Sequence, residues 1–338
     1  MNQVRPTGLS PDVLTVEDLR VHYVLDLFGV RREVRAVDGI DMTVRHNEIY
    51  GLAGESSSGK TSLIKSLAGA IRPPMRVMSG TVRFEFGGRE IDVYKEPEAM
   101  RPARWRHLST ILQGSMNVLN PVRRVKHSFA DFAGRHMGLD RAAFRCRVEA
   151  HLDRLHLPPS VLDAFPHQLS GGMRQRVCIA LATVCEPEFI IADEPTTALD
   201  VLVQRDVLAL LKEVQSRLGS SVVFVTHDLS VHAAISDRLG IIYAGRLIEE
   251  GTTAALFARP QHPYTAHLIG SLPRLGDTRP RRSLAGKPPN LAAPPPGCRF
   301  HPRCPIAIDR CSRDVPPLQT SATDGRVACF RAGEVEVP

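Results

Sequence analysis

Apolar residues in this chain form two patterns, short continuous runs and longer stretches with helical spacing. The runs "LTVEDLRVHYV", "IDMTV", "NEIYGLA", "PEFIIADEP" and "SVVFVTHD" are rich in β-branched residues and predict strands, and "GTVRFEFGGREI" predicts a hairpin arm. "SLIKSLAGAI" predicts an amphipathic helix, and the apolar residues between 201 and 218 recur at helical intervals and stop at Gly219. Strands that alternate with helices indicate an α/β fold with a mainly parallel sheet.

Two stretches interrupt this alternation. From Pro121 to about Pro166 the pattern is helical, so we expect an inserted α-helical subdomain over about 115–170, within a domain spanning 12–256. After 257 proline becomes dense, as in "GKPPNLAAPPPG", and periodicity is lost. This composition predicts a partly extended linker over 257–297, within a small irregular extension that covers 257–338.

Composition narrows the classes of protein to which the chain can belong. Hydrophobic residues make up 43% of 338 residues, which is ample for a packed core, and no run approaches the roughly 20 apolar residues of a membrane span. The net charge of +7 suits an anionic ligand or an anionic membrane face and decides neither. Aromatic residues are only 5%, and the basic runs at 101–107 and 279–283 lack interleaved aromatics, so we expect no nucleic-acid partner. Without a signal peptide, the chain is expected to stay in the cytoplasm.

The stretch "GESSSGKT" stands between a predicted strand and a predicted helix and fits the pattern G-x-x-x-x-G-K-[ST]. In that context successive backbone N–H groups and the positive end of the helix dipole can bind phosphate oxygens. A lysine neutralises β- and γ-phosphate charge there, and the following hydroxyl ligates Mg²⁺. The candidate ATP-binding residues are Gly54, Glu55, Ser56, Ser57, Ser58, Gly59, Lys60, Thr61 and Ser62.

Two carboxylates end the apolar strand in "FIIADEP". Asp193 can hold Mg²⁺, and Glu194 can polarise the attacking water as a general base. Taken alone, an apolar strand that ends in two acids is more often a strand meeting a solvated loop. Its pairing with a phosphate loop favours the catalytic interpretation.

The stretch "LSGGMRQRV" resembles the signature sequence of ATP-binding cassette (ABC) ATPases. Other landmarks of that family follow in the usual order across about 14–255: Gln113 in "TILQGSMNVLNP" resembles the Q-loop, Asp200 in "TTALD" the D-loop and His227 in "VFVTHD" the switch histidine. The resemblance implies a P-loop ABC-type nucleotide-binding domain, with a mixed sheet, helices and an inserted α-helical subdomain.

The resemblance also assigns roles to residues. It implies that Glu194, His227 and Gln113 are catalytic and that Thr61, Gln113 and Asp193 hold magnesium. The signature residues Ser170, Gly171, Gly172 and Gln175 are then expected to bind ATP held by the opposite subunit of a dimer.

One position departs from the family pattern, and the residue that stacks on adenine is left open. ATPases of the branch that this chain resembles commonly have glycine where it has Ser57, so a positive φ there implies mild strain. The family stacks adenine on an upstream aromatic residue, and both Tyr23 and Phe28 are candidates.

Downstream, "ARPQHPYTAHLIGSLP" and "LAGKPPNLAAPPPGCRFHPRCPIAIDRC" resemble the tail of oligopeptide and dipeptide importer ATPases. This resemblance implies an ATP-hydrolysing importer subunit at the cytoplasmic face of the membrane. Its implied partners are two transmembrane permeases, an extracytoplasmic binding protein and a second, non-identical ATPase subunit.

Two alternatives stay open: uptake of another small solute such as nickel complexes, and a soluble ABC ATPase switch with a zinc-binding tail. A single cassette without sustained heptads argues against ribosome- or DNA-acting relatives.

Four of the seven cysteines lie in the tail, at Cys298, Cys304, Cys311 and Cys329. Their spacing does not fit the usual two-residue zinc knuckle, and four thiolates suit either tetrahedral zinc or an iron–sulfur cluster. Four unrelated cysteines in an irregular tail are the plain alternative. The resemblance to peptide-importer ATPases implies a 4Fe–4S cluster on these four residues.

Overall fold

The structure is a computed structural model that describes residues 10–27, 29–112, 114, 118–197, 199–272 and 284–334. The chain divides into two compact units. The first unit contains Met1–Leu14, Val44–Glu48 and Phe84–Phe224. The second contains Thr15–Thr43, Ile49–Arg83 and Val225–Pro338. The division at 256/257 that we expect from the sequence stays a prediction.

The strands are β1 (Asp12–Leu27), β2 (Val30–Arg45), β3 (Ile49–Ala53), β4 (Met75–Phe86), β5 (Arg89–Asp92), β6 (Leu108–Ile111), β7 (Phe189–Asp193), β8 (Ser221–Val225), β9 (Arg238–Tyr243), β10 (Arg246–Thr252), β11 (Gln319–Thr320) and β12 (Arg326–Val327). Strands β1 and β2 have 16 residues each, and most of the other strands are much shorter.

Helices fill the connections between these strands. They are α1 (Lys60–Leu67), α2 (Pro97–Arg106), α3 (Val125–Phe132), α4 (Gly134–Met137), α5 (Arg141–Asp153), α6 (Gly171–Thr183), α7 (Val201–Leu218), α8 (Leu229–Ile235), α9 (Thr253–Ala258) and α10 (Pro263–Gly270). Among the helices of the described ranges, none combines the length and the apolar character that a membrane crossing requires.

The first unit contains a parallel pair of strands, β6 and β7, with β8 as the next neighbour of β7. Every residue of β7 is buried, as expected for a strand covered on both faces. Helix α7 begins at the N-cap Asp200 and ends at Gly219, which adopts the left-handed conformation at φ 66°. The apolar periodicity therefore predicted this helix correctly, because its cap and its stop are both local signals.

The second unit contains β3, which pairs in parallel with β9. Beyond β9 come β10, β12 and β11, and β12 pairs antiparallel with β10. The C-terminal region therefore adds two short strands to the edge of this unit's sheet. Strands β2, β1 and β4 lie side by side, in that order, in a separate sheet.

The start of the expected linker is a packed helix instead. Helix α10 buries Tyr264, and Tyr264 and Phe300 join a core cluster with Tyr243 and Ile241. The prediction of a partly extended linker is wrong over this helix, because Tyr264 packs against residues from distant parts of the chain. Residues 273–283 of the linker lie outside the described residues, and 284–297 have no regular secondary structure.

Candidate functional site

Two glycines of the loop between β3 and α1 adopt positive φ angles. Gly54 has φ 149° and Gly59 has φ 108°. A Cβ atom on Gly54 would lie 2.1 Å from the carbonyl oxygen of Ile242, and one on Gly59 would lie 2.1 Å from that of Ala36. Both positions therefore need glycine for conformation and for space. The turn leaves the first N–H groups of α1 at its mouth, where a helix binds anions.

Ser57 adopts φ 64° in the middle of this loop. This is the left-handed region, which costs a non-glycine residue roughly 1–2 kcal/mol. The mild strain expected if φ were positive is therefore present. Such strain persists only where the surrounding contacts fix the backbone, and it is concentrated at functional sites.

Lys60 folds back over the loop. Its Nζ donates hydrogen bonds to the carbonyl oxygens of Gly54 at 2.6 Å and Glu55 at 2.9 Å, and to Ser58 Oγ at 3.3 Å. The ammonium group thus sits over the turn where phosphate charge is expected. Thr61 follows it with an exposed side chain.

Ser62 is buried, and its Oγ lies 3.2 Å from the hydroxyl oxygen of Tyr23. This contact places Tyr23 beside the first turn of α1. Phe28, the other candidate for adenine stacking, lies outside the described residues.

Glu55 is held by the C-terminal region of the chain. Its carboxylate accepts hydrogen bonds from both terminal nitrogens of Arg303, at 2.8 and 2.9 Å. Its backbone N–H donates to the hydroxyl oxygen of Tyr264 at 2.8 Å. Sequence reasoning missed Arg303 and Tyr264, because no local pattern relates them to a loop that precedes them by more than 200 residues.

In the first unit, Asp193 is the last residue of β7 and is buried, and Glu194 follows it with φ 46°. The hydroxyl of Thr197 donates to Glu194 Oε2 at 3.0 Å. The positive φ of a non-glycine residue directly after the strand is a strained conformation of the kind that is concentrated at functional sites.

Two helix N-termini in the same unit carry the signature and D-loop residues. Ser170 caps α6 by accepting from the N–H of Met173 at 3.3 Å, and Asp200 caps α7 by accepting from Val203 at 2.9 Å. Gly171 and Gly172 form the first turn of α6, and Gln175 is buried in the next. The first turn of α6 therefore presents N–H groups, as the signature interpretation requires.

His227, in the second unit, is exposed two residues after β8. Gln113 lies outside the described residues.

His232, which the sequence did not single out, is buried below β3, with Nδ1 3.1 Å from Ser236 Oγ and Nε2 3.3 Å from the carbonyl oxygen of Thr226. Burial lowers the pKa of His232 to about 4, so it is neutral and structural at physiological pH.

The four tail cysteines line one small pocket, together with Phe300, His301 and other residues of the C-terminal region. Burial raises the pKa of Cys298, Cys304 and Cys329, the last to about 11, while nearby backbone N–H groups oppose that shift. The Nδ1 atom of His301 lies 2.8 Å from the carbonyl oxygen of Cys298. Sulfur donors and N–H groups around one pocket suit a thiolate-bound group. No set of three or more ligating side chains in the described part of the chain is arranged to hold a metal ion.

Comparison with known families agrees with the layout of these motifs. The family described as ABC transporter matches residues 37–197. The family described as oligopeptide/dipeptide transporter, C-terminal region, matches residues 248–311. The two matches cover the phosphate loop and the region that holds it.

Curated relatives match nearly the whole chain. A dipeptide transport ATP-binding protein of Caldanaerobacter subterraneus is 37% identical over 324 residues, which cover 94% of this chain and 96% of that protein. The oligopeptide transport ATP-binding protein of Salmonella typhimurium is 38% identical over 326 residues, covering 95% and 94%. A dipeptide transport ATP-binding protein of Bacillus subtilis is 39% identical over 322 residues, covering 94% of each.

Solved structures share the fold. A dimeric ATP-binding cassette with bound ADP and Pi has a TM-score of 0.59 at 23% identity, covering 71% of this chain and 98% of that one. The cassette cbiO1 of Clostridium perfringens, part of the cbiONQ transporter complex, has a TM-score of 0.59 at 26% identity, covering 74% and 92%. The resemblance inferred from the motifs is thus confirmed, and the chain belongs to the ABC transporter family, in the branch that carries the oligopeptide/dipeptide transporter C-terminal region.

Proposed function

We propose that this chain is the ATP-hydrolysing subunit of an importer that energises uptake of di- and oligopeptides across the cytoplasmic membrane. The observation that carries this proposal is an intact phosphate loop held by a C-terminal region of the oligopeptide/dipeptide transporter type. The curated relatives named for dipeptide and oligopeptide transport support the cargo class.

ATP and Mg²⁺ are the cofactors of the reaction. In our proposal the loop residues 54–62 bind the phosphates, and Lys60 exchanges its bonds to the loop carbonyls for phosphate oxygens. Thr61, Asp193 and Gln113 ligate Mg²⁺ directly or through water. Glu194 takes a proton from the attacking water, and His227 hydrogen-bonds the γ-phosphate.

In our proposal hydrolysis requires a second ATPase subunit, because the signature helix of one subunit binds the ATP that the other subunit holds. Ser170, Gly171, Gly172 and Gln175 of α6 form this half-site in the proposal. Val201 and Leu202, directly after Asp200, are 80% and 68% exposed. Adjacent exposed aliphatic residues at a helix N-terminus support a protein contact there. We propose that this second subunit is a non-identical ATPase.

We propose that permeases dock next to the Q-loop and keep the chain peripheral at the cytoplasmic face of the membrane. Leu112 precedes Gln113 and is 48% exposed, while Val118 and Val122 follow it at 50% and 79%. These exposed aliphatic residues support a docking surface for transmembrane partners. The permeases receive peptide from an extracytoplasmic binding protein.

For the tail, we propose that Cys298, Cys304, Cys311 and Cys329 hold a 4Fe–4S cluster. Such a cluster binds each cysteine thiolate to a separate iron. The four cysteines around one pocket supply the four sulfur donors that this requires. Such a group supplies a covalent link between distant parts of the tail.

The test is a gentle detergent pull-down of the tagged chain from native membranes, followed by identification of every co-purifying protein and metal analysis. Two multi-span permeases, a second cassette ATPase and about four iron atoms with labile sulfide per chain are expected. A chain that leaves the membranes with ribosomes, nucleic acid or no partner would overturn the importer assignment. Stoichiometric zinc without sulfide would replace the cluster with a zinc-binding tail.

A further inference from the structure

We propose that Arg303 is a positioning residue for nucleotide binding: by gripping Glu55, it fixes the phosphate loop in its binding conformation. The affinity for ATP then depends on the folded C-terminal region. This inference rests on the proposed function, because it assumes that the loop binds ATP.

The contact between Arg303 and Glu55 has the geometry of a strong ion pair. Two parallel hydrogen bonds of 2.8 and 2.9 Å join the guanidinium to the two carboxylate oxygens. The Arg303 side chain is only 6% exposed. The Glu55 side chain is 25% exposed, so the pair is mostly shielded from water, and its bidentate geometry fixes both distance and orientation.

Every polar group of Glu55 has a partner in this arrangement. The carboxylate binds Arg303, the backbone N–H binds the Tyr264 hydroxyl at 2.8 Å, and the carbonyl accepts from Lys60 at 2.9 Å. The orientation of this residue at the start of the loop is therefore determined from three sides. Ser57, two residues later, is held at its strained φ of 64°. A strained backbone conformation persists only where surrounding contacts fix it, so the three contacts of Glu55 explain why Ser57 keeps this φ.

Arg303 is itself held by the C-terminal core. It ends a 3-10 turn, His301–Arg303, directly before Cys304. The preceding Phe300 is buried, with ring centroids 5.2 Å from Tyr243 and 5.5 Å from Tyr264. The Tyr243 hydroxyl lies 3.2 Å from Arg303 Nη1. Folding of the cysteine-rich segment therefore sets the backbone from which Arg303 reaches the loop.

A second tail segment borders the same loop. Residues 288–291 line a cleft together with residues 55–58, and the carbonyl of Leu291 accepts from the N–H of Arg35 at 2.9 Å. The C-terminal region thus contacts the loop and its surroundings at two places, which is consistent with a role in setting the loop's conformation.

The experiment measures MgATP affinity by calorimetry in the purified full-length chain, with Glu194→Gln in the background to prevent turnover. Arg303→Met keeps most of the apolar stem of the side chain while removing the guanidinium group and its charge. We expect its Kd to rise by about tenfold, the effect of losing one charge-assisted pair that favours the binding conformation. Arg303→Lys keeps the charge without the fork, and its Kd should lie between the two.

The matched control is Arg326→Met, which breaks another ion pair of the C-terminal region, 2.7 Å from Glu250, without touching the loop. It is expected to lower the melting temperature and leave the Kd unchanged. The double variant Glu55→Arg with Arg303→Glu tests whether the pair itself matters, and it should recover part of the lost affinity.

The outcomes separate the two proposals. If the parent chain does not bind MgATP, the proposed function fails. If the parent binds and Arg303→Met binds equally well, or if Arg326→Met weakens binding as much as Arg303→Met does, the positioning role is overturned. Where Arg303→Met is poorly folded, Arg303→Lys decides the question, and unchanged affinity in that variant would also contradict the proposal.

Discussion

Replacing Asp38 by asparagine should destabilise the second unit far more than an ordinary surface substitution. Asp38 is only 3% exposed and accepts from Arg20 Nη1 at 3.0 Å. Arg246 Nη2 lies 3.5 Å from its second oxygen, and Arg299 donates to that oxygen as well. The carboxylate is therefore the common counter-ion of three guanidinium groups. Burial opposes its ionisation, but Arg299, Arg246 and Arg20 outweigh that effect and hold the pKa of Asp38 below its usual range.

The expected loss of stability follows from the buried charge of Arg299, which the substitution leaves without a counter-ion. Arg299 is 4% exposed and also donates to the carbonyl oxygen of Ala244. The introduced asparagine would be neutral, so Arg299 would stay buried without a counter-ion. Burial already lowers the pKa of Arg299 to about 10, and that value still leaves it charged at neutral pH. Breaking one side of a buried ion pair typically costs about 3–5 kcal/mol, and we expect that range here.

Urea denaturation at pH 7 measures this cost, and Asp18→Asn is the control. Asp18 also pairs with Arg20, at 2.8 Å, but it is 60% exposed. Its loss should cost less than about 1 kcal/mol.

The same ion pairs make stability depend on pH. Because the pKa of Asp38 is depressed, its contribution to the free energy of unfolding is fully present above the ordinary aspartate pKa and is lost as the pH falls through the lower, folded-state value. The advantage of wild type over Asp38→Asn should thus persist down to about pH 4 and disappear below it. Equal destabilisation by the two substitutions would refute the reasoning.

Three further predictions concern the candidate site. Glu194→Gln should leave ATP binding intact and abolish turnover in the assembled complex, and near-normal phosphate release by this variant would rule out Glu194 as the base. Ser57→Gly should relieve a φ of 64° and raise stability by up to about 1 kcal/mol, since relief of strain outweighs the added chain entropy; a clear drop in the thermal unfolding midpoint would contradict this. Cys304→Ser should remove the broad visible absorption that a 4Fe–4S cluster gives anaerobically purified protein. Identical spectra of the variant and wild type would exclude Cys304 as a ligand.

Local patterns predicted the parts of this fold that depend on local physics. The phosphate loop was identifiable because its two glycines, its lysine and its flanking strand and helix are close in sequence. The same holds for α7, whose cap Asp200 and stop Gly219 flank an apolar repeat. Caps and positive-φ glycines are short-range constraints, so the sequence displays them directly.

Long-range pairs could not be predicted in this way. Arg299 and Asp38 are 261 residues apart, and Arg303 and Glu55 are 248 apart. Nothing in the neighbourhood of either arginine distinguishes it from a solvated basic residue. Helix α10 was missed for a related reason, since its short length and the prolines in and around it are typical of a linker, and only the contacts of Tyr264 with Tyr243 and Phe300 distinguish it. Tertiary packing decides such segments where local propensity is weak.

In our proposal this chain couples ATP hydrolysis to peptide uptake. The decisive measurement of this coupling is ATP hydrolysis by the purified membrane complex reconstituted in lipid vesicles, with and without the binding protein loaded with peptide. We predict Mg²⁺-dependent hydrolysis that the peptide-loaded binding protein stimulates, accompanied by peptide accumulation inside the vesicles. Hydrolysis that proceeds at one rate regardless of the binding protein and peptide, with no peptide accumulation, would contradict the account.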